Sequence, residues 1–359
     1  MRFSLQSCVL LATVVALPTL ASANGAGAVY AIDNSPSGNA VLVFERAGDG
    51  SLASPASYPT GGAGTGAGLG SQGAVIVTED RRLLFAVNAG SNSVSSFRIT
   101  PDGLQLVDTV PSGGTMPTSV TYARGLLYVL NAGGTNNISG FTVDTRGKVA
   151  PLSGSTRPLS AASTSPAQIG FNDDGDVVIV TERATNRIDL YVLAEDGRPD
   201  GPFVSPSAGP TPFGFAVDKR NTLFVSEAGA GGGASTYRIG DMTLDPVSSM
   251  LMTGQRAACW AVVTKNGKYG YVTNAGTGNI SGFALAQDGS AALLNSDGVT
   301  ATTGANPTDA AVSHDSQYLY ARVAGLSAIA IFRINADGSL TPLPPFTGTP
   351  AGLAGLAAF

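Results

Sequence analysis

Short apolar runs alternate with polar turns along most of the chain, and the pattern recurs as one phrase with small variations. Each copy has an apolar strand, a polar corner that often reads Asn-Ala-Gly, and a second strand ending in an aromatic residue. Seven copies are found, and "NAGGTNNISGF" and "NAGTGNISGF" are two versions of the same segment. Their closing aromatic residues, 44 to 53 positions apart, are Phe44, Phe97, Phe141, Tyr191, Tyr237, Phe283 and Phe332.

Each copy is flanked by two further strand patterns. The preceding strand often opens with proline, as in "PAQIGFN" and "PFGFAVD", and a short strand follows an Asp-Gly turn in most copies. A unit of four antiparallel strands with this period is typical of a β-propeller blade. The sequence therefore predicts an all-β, seven-bladed propeller, because one blade alone cannot bury both of its faces.

The two ends of the chain indicate how the ring closes. The first copy, "VYAIDN", has no strand pattern before it, whereas "PAGLAGLAAF" at residues 350–359 has the form of a strand that opens a blade. We expect this C-terminal strand to pair beside Tyr30 and to complete the first blade. Such pairing would remove the open edges of the arc.

The first 23 residues have the pattern of a secretory signal peptide. Arg2 is followed by an apolar run of about ten residues and by Ala21-Ser22-Ala23, a small-residue cleavage signal. We expect residues 1–23 to be removed and residues 24–359 to form one propeller domain in the periplasm or outside the cell. The apolar run is too short to span a bilayer, so no membrane association is expected after cleavage.

Composition and charge narrow the possible partners. Charged residues make up 13% of the chain and its net charge is −5, so a nucleic-acid partner is not expected. With one histidine in the chain and Cys259 as the single cysteine after cleavage, we expect no internal disulfide, no metal site and no cofactor. We expect the exported chain to be a monomer.

The strand order predicts which residues face a ligand. The starts of the inner strands and the Asn-Ala-Gly corners share one rim of the central channel, where propellers commonly bind ligands. At equivalent corners in adjacent copies, Glu182 and Glu227 replace asparagine, and Arg183 and Arg256 lie nearby. A carboxylate base beside a guanidinium is what water attack requires, so these four are the catalytic candidates. Candidate substrate-binding residues are Asn131, Gln168, Trp260, Asn274, Asp309 and Arg322.

Other interpretations of these residues stay open. The corner asparagines and glutamates can cap their turns through hydrogen bonds to the backbone. Cys259 can be a nucleophile or a small buried hydrophobe, and His314 is expected in a turn on the opposite face. The glycine run from Gly61 to Gly70 does not match a dinucleotide-binding spacing and is expected to be a flexible rim loop.

The segments "LLYVLNAG", "YGYVTNAGTGNISGF" and "FRINADGSLTPL" resemble the lactonase family of seven-bladed propellers, over residues 28–359. That family includes propeller-type 6-phosphogluconolactonases and fungal 3-carboxy-cis,cis-muconate lactonising enzymes. The resemblance implies the fold and suggests that Thr181-Glu182 and Ser226-Glu227 match the family's Asn-Glu corners. The family's Pro-Arg-His start of an inner strand is not matched in this sequence.

Two functions follow from these observations. The first is hydrolysis, or the reverse closure, of a small sugar-acid or carboxylate lactone. In it Glu182 or Glu227 activates water while Arg183, Arg256 or Arg322 holds the developing oxyanion or a carboxylate. The second is a non-catalytic propeller that binds a ligand or a protein, because a fold alone does not determine function.

Overall fold

The computed structural model describes residues 27–359, which form thirty β-strands and one 3-10 helix in seven sheets. The expected signal segment, residues 1–23, lies outside the described residues. Within residues 27–359, no helix has the length and apolar character needed to cross a membrane.

The strands follow one another blade by blade. Blade one contains β1 (Gly27–Ile32), β2 (Ala40–Arg46) and β3 (Ala56–Pro59); blade two contains β4 (Val75–Val77), β5 (Leu83–Asn88), β6 (Ser93–Thr100) and β7 (Gly103–Pro111). Blade three contains β8 (Thr115–Ala123), β9 (Leu126–Gly133), β10 (Asn137–Val143), β11 (Val149–Pro151) and β12 (Arg157–Pro158); blade four contains β13 (Pro166–Phe171), β14 (Val177–Glu182), β15 (Arg187–Leu193) and β16 (Pro199–Pro206).

The second half continues the series. Blade five contains β17 (Pro212–Val217), β18 (Thr222–Glu227), β19 (Gly233–Ile239) and β20 (Leu244–Met252); blade six contains β21 (Ala258–Val263), β22 (Tyr269–Asn274), β23 (Asn279–Leu285), β24 (Ala291–Leu293) and β25 (Ala301–Thr302). Blade seven contains β26 (Pro307–Val312), β27 (Tyr318–Val323), β28 (Ala328–Ile334) and β29 (Leu340–Thr347), with the 3-10 helix Ala324–Leu326 between β27 and β28. The last strand, β30 (Ala354–Ala358), returns to blade one.

The ring closes as the sequence predicts. Strand β30 pairs with β1 in an antiparallel ladder that places Tyr30 opposite Ala357. The Tyr320 hydroxyl of blade seven donates to the Gly50 carbonyl oxygen of blade one at 3.0 Å. Similar bonds join Tyr128 to Gly197 and Tyr271 to Gly338 between other neighbouring blades.

Apolar packing between blades forms the core. The seven aromatic residues that close the sequence repeat are at most 2% exposed. Burying each such ring stabilises the fold by about 1.5–3 kcal/mol relative to leaving it in water. The predicted Asp-Gly turns are also confirmed: Gly50 and Gly289, for example, have φ values of 88° and 87°, which suit glycine.

The propeller has two distinct faces. The inner strands β30, β4, β8, β13, β17, β21 and β26 line the central channel. Their first residues, together with the corners between the second and third strands, form what we call the upper face. The Asp-Gly turns form the lower face. This arrangement gathers loops from all seven blades around each mouth of a rigid channel.

Candidate functional site

A segment of blade two enters the channel from the upper face. We call residues 68–73 the channel insert. The Ser119 hydroxyl donates to the carbonyl oxygen of Gln72 at 2.6 Å, and the backbone N–H of Gln72 donates to Ala167 at 3.0 Å. The Gln72 side chain reaches blade six, where it donates to the Ala261 carbonyl at 2.7 Å and accepts the Ala261 N–H at 3.0 Å. The insert thus bridges inner strands from several blades.

The glycine run that leads into the insert is held in place by hydrogen bonds, so the expectation of a flexible rim loop is wrong. Asn34 accepts the backbone N–H of Thr65 at 2.9 Å and donates to the carbonyl oxygen of Ala67 at 2.6 Å. The Gly90 N–H donates to Ala63 at 2.9 Å. These bonds fix the run between the corners of blades one and two. Its glycines allow backbones to approach closely, since a Cβ on Gly64 would lie 2.2 Å from Asn34 backbone atoms.

A cavity of about 210 Å³ lies above the insert, where blades six, seven, one and two meet. The inner strands of blades six, seven and one supply three walls, and the insert supplies the floor. The cavity brings together three residues named from the sequence: Trp260, Asp309 and Arg322. The other lining residues are Gly68, Leu69, Gly70, Ser71, Thr308, Leu353, Ala354 and Gly355.

Asp309 is the acidic group of this cavity. It occupies a β-bulge of β26 between Thr308 and Ala310, with a φ of 53°, and its side chain is almost completely buried. Its Oδ1 accepts the Ala310 N–H at 2.9 Å. The backbone N–H groups of Gly355 and Leu356 lie near the carboxyl, but Oδ2 makes no hydrogen bond of 3.5 Å or less within residues 27–359. Burial raises the pKa of Asp309 to about 7, although nearby N–H groups and Arg322 favour its ionised form. A carboxyl group with this pKa can accept and return a proton near neutral pH.

Arg322 is the cationic group of the cavity. Its Nη1 donates to the Thr308 hydroxyl and its Nη2 to the Ala351 carbonyl, both at 2.7 Å. These bonds hold the guanidinium between blade seven and the start of β30. Its Nε is buried and has no partner among the described residues. An N–H held in this way can stabilise an oxyanion without reorganising first.

Trp260 forms the third functional wall. Its indole Nε1 donates to the Ser71 carbonyl oxygen of the insert at 2.9 Å. Its ring packs against Phe213, with the ring centroids 4.9 Å apart. The indole is therefore fixed on two sides, and the 7% of its surface that stays exposed is what a ligand in the cavity can contact.

The two glutamates proposed as bases lie elsewhere. The carboxylate of Glu182 accepts the Ser160 N–H at 2.9 Å and the hydroxyls of Ser160 and Thr185. Glu227 accepts hydroxyl hydrogen bonds from Ser207 at 2.7 Å and Tyr237 at 3.3 Å. Both glutamates are completely buried, and neither lines the cavity. Each ties its corner to the connection that enters its own blade, as the turn-capping interpretation expects.

The expected partnership of these glutamates with arginine is wrong. Within residues 27–359, no ion pair within 4.0 Å joins Glu182 or Glu227 to a basic side chain. Burial raises the pKa of Glu227 to about 7. Arg183 instead donates its Nε to the Ser165 carbonyl at 2.9 Å and lies over the Phe213 ring. Arg256 donates to the Gly276 carbonyl at 3.1 Å.

Three other candidates make contacts within and between blades. Asn131 donates to the Ser112 carbonyl at 3.2 Å, and Asn274 donates to the Ser281 hydroxyl at 2.8 Å. Gln168 donates to the Phe215 carbonyl at 3.0 Å and accepts the Phe215 N–H at 2.7 Å. These amides hold the repeat together, and none of them lines the cavity.

Cys259 and His314 are also placed away from the reacting groups. Cys259 packs among Ala167, Phe213 and Trp260, and burial raises the pKa of its thiol to about 12. His314 is exposed on the lower face and stacks on Phe359, as expected for a turn residue. In the described part of the chain, no group of three or more His, Cys, Asp or Glu side chains is arranged to hold a metal ion.

A larger cavity, of about 470 Å³, opens on the lower face. Its charged groups already have partners: Lys219 Nζ lies 3.3 Å from Glu79 and 3.0 Å from Asp173. The smaller upper cavity differs because two of its lining residues, Asp309 and Arg322, each have a buried polar side-chain atom without a hydrogen-bond partner among the described residues. Such groups need a ligand or water to satisfy them, so we take the upper cavity as the candidate site.

Comparison with known proteins supports this fold and a family. Residues 37–158 and 205–352 match the model described as lactonase, 7-bladed beta-propeller. Similar solved structures include a putative 6-phosphogluconolactonase from Bacteroides uniformis, 18% identical, with a TM-score of 0.70. A periplasmic gluconolactonase from Pseudomonas aeruginosa is 17% identical, with a TM-score of 0.72. Each alignment covers 91% of this chain and 98% of the other. A search of curated proteins finds no match to the sequence.

Proposed function

Because the chain belongs to the lactonase family of seven-bladed β-propellers, we propose that it hydrolyses a small lactone in the upper cavity. The observation that carries the proposal is that Asp309 and Arg322 line one cavity beside Trp260 and that each has a side-chain atom, Oδ2 and Nε, without a hydrogen-bond partner among the described residues. The first is a base and the second is a hydrogen-bond donor to an oxyanion, and ester hydrolysis by water requires both. The sugar-acid and carboxylate lactones suggested by the sequence are the first compounds to test.

In the proposed reaction, the ionised Asp309 takes a proton from water as the water oxygen bonds to the lactone carbonyl carbon. Arg322 Nε–H donates to the carbonyl oxygen as it becomes negative. The tetrahedral intermediate then breaks its bond to the ring oxygen, and the Asp309 carboxyl returns the proton to that oxygen. The product is a hydroxy acid, and the reverse sequence closes the lactone.

The test compares two buried carboxyl groups of similar acidity. Asp309→Asn is expected to lower kcat about 100-fold or more, because it removes the base but keeps the shape. Glu227→Gln is the matched control and is expected to keep kcat within about twofold. The assay uses a panel of simple lactones that includes glucono-δ-lactone, with thermal melts in parallel. Equal activity of wild type and Asp309→Asn would remove Asp309 from the mechanism.

A non-catalytic binding propeller is the second candidate. One observation favours it: the single histidine lies on the lower face, so the upper cavity has no imidazole to act as base or acid. A wild type that turns over no lactone would support this second function.

We also propose that the protein is exported as a monomer. The pattern of residues 1–23 supports export, and a periplasmic enzyme is among the similar structures. N-terminal sequencing of the exported chain should begin at Asn24, and light scattering should give the mass of one chain. A cytoplasmic protein that retains Met1 would contradict export, and a larger mass would contradict the monomer.

A further inference from the structure

We infer that the upper cavity selects small lactones with an apolar or aromatic body over polyhydroxylated sugar lactones. This inference rests on the proposed function and specifies its substrate class. It comes from the composition of the cavity wall and from the hydrogen bonds its polar groups already make.

Carbon-rich surfaces form most of the wall. Leu69 of the insert, Leu353 and Ala354 at the start of β30, and the indole of Trp260 all line the cavity. Gly68, Gly70 and Gly355 complete the wall without adding side chains. A methylene group of a ligand gains about fourfold in affinity when it leaves water for such a surface.

Most polar side-chain atoms of the wall already make hydrogen bonds to other protein atoms. The Ser71 hydroxyl donates to the Thr118 carbonyl at 2.8 Å, and the Trp260 N–H donates to the Ser71 carbonyl. The Thr308 hydroxyl oxygen accepts from Arg322. The side-chain atoms left without any partner are Asp309 Oδ2 and Arg322 Nε, and the reaction itself uses both.

A sugar lactone therefore finds few free side-chain partners for its hydroxyls in this cavity. Each hydroxyl that enters without a hydrogen bond is expected to lower affinity about tenfold. A phosphorylated lactone is disfavoured by its charge as well, because the dianion would face the Asp309 carboxyl with Arg322 as the single guanidinium that lines the cavity. An uncharged lactone with a hydrocarbon body avoids both costs.

Cavity size agrees with a compact ring system. An apolar protein cavity of about 150 Å³ can hold benzene. At about 210 Å³, the upper cavity has room for such a ring and several more atoms. Dihydrocoumarin, a lactone fused to a benzene ring, is a suitable probe because its aromatic ring can contact the part of Trp260 that lines the cavity.

The first experiment measures turnover of dihydrocoumarin and glucono-δ-lactone by the purified protein. Each kcat/KM is divided by the uncatalysed hydrolysis rate, because the two lactones differ in intrinsic reactivity. The ratio is expected to favour dihydrocoumarin at least tenfold. An equal or higher value for glucono-δ-lactone would overturn the inference while leaving lactone hydrolysis in place.

A binding experiment separates selectivity from catalysis. Trp260 is the single tryptophan of the chain, so its fluorescence reports occupation of the cavity. The unreactive lactams of the two substrates are titrated, and the dihydrocoumarin lactam is expected to bind at least tenfold more tightly than the gluconolactam. If this holds while neither lactone is hydrolysed, the selectivity stands and the proposed reaction fails. Equal or reversed affinities of the two lactams would contradict the selectivity directly.

Substitution of one wall residue tests whether the carbon-rich wall causes the selectivity. Leu69→Asn adds a hydrogen-bond donor and an acceptor to the wall. It is expected to lower the ratio of the two lactam affinities about tenfold. Leu106→Asn, at an exposed leucine of β7, is the matched control and should leave the preference unchanged. An unaltered preference in a folded Leu69→Asn protein would show that the carbon-rich wall does not set the selectivity.

Discussion

Trp260 and Ser71 are joined by a hydrogen bond of 2.9 Å from the indole Nε1 to the backbone carbonyl oxygen, although 189 residues separate them in the chain. This bond couples the inner strand of blade six to the channel insert of blade two. One contact therefore fixes both the floor and an aromatic wall of the candidate site. The position of the indole should depend on the insert.

Trp260→Phe should loosen this arrangement. The variant keeps an aromatic ring but leaves the Ser71 carbonyl without its donor, which costs about 1–3 kcal/mol of folding free energy. We expect KM for the preferred lactone to rise several-fold. Ser71→Ala is the control, because it removes the hydroxyl bond to Thr118 but keeps the carbonyl, and its KM should stay close to that of wild type. Steady-state kinetics and thermal melts measure both effects.

Hydrolysis should depend on pH through Asp309. Its pKa of about 7 means that the base form increases as pH rises from 6 to 8, so kcat/KM should rise about tenfold per pH unit below 7 and level off above 8. Glu227 has a similar pKa, so the profile is repeated in Glu227→Gln, where it should be unchanged. A rate that is flat over this range after subtraction of spontaneous hydrolysis would argue against a carboxylate base.

Glu227→Gln should change stability in a pH-dependent way. Burial raises the folded-state pKa to about 7, above the unfolded value of about 4.3, so the folded state binds more protons between these values. Wild-type stability should therefore fall as pH rises from about 4 to 7, by roughly 3 kcal/mol. The Gln variant lacks this loss, and its melting temperature should change less between pH 5 and 8. A parallel pH dependence in both proteins would contradict the assignment.

Asp189 should also make folding stability fall as pH rises, and over a wider pH range than Glu227. Burial, together with the neighbouring Glu182 carboxylate, raises the pKa of Asp189 to about 8. Since an unfolded aspartate has a pKa of about 3.9, stability contributed by the protonated form is lost as pH rises through 8. Asp189→Asn should lower the sensitivity of the melting temperature between pH 6 and 9. Asp245→Asn, at an exposed aspartate of β20, should behave like wild type.

The blade count and the ring closure could be predicted because both follow from local repeats. The aromatic residue that closes each phrase marks a strand that must be buried, and the strand missing before Tyr30 is supplied at the end of the chain. These signals need only periodicity and chain order.

The site was harder to predict because its parts come from distant segments. Trp260, Asp309 and Arg322 could be named as rim residues, but the floor from Gly68 to Ser71 depends on how the glycine run packs on Asn34. The surroundings of the two glutamates are difficult to predict for a different reason. Glu182 ends a second strand of its blade, where its carboxylate meets Ser160 of the connection entering the blade, and the sequence does not encode that contact locally.

The pairing of β1 with β30 has a consequence for the folding of the new chain. Tyr30 finds its partner Ala357 only after almost the entire polypeptide has been synthesised. Contacts so distant in sequence slow folding, and until they form blade one exposes an unpaired strand edge that can join another chain. Until β30 pairs with β1 the ring is therefore an open arc, and this single pairing protects both of its ends.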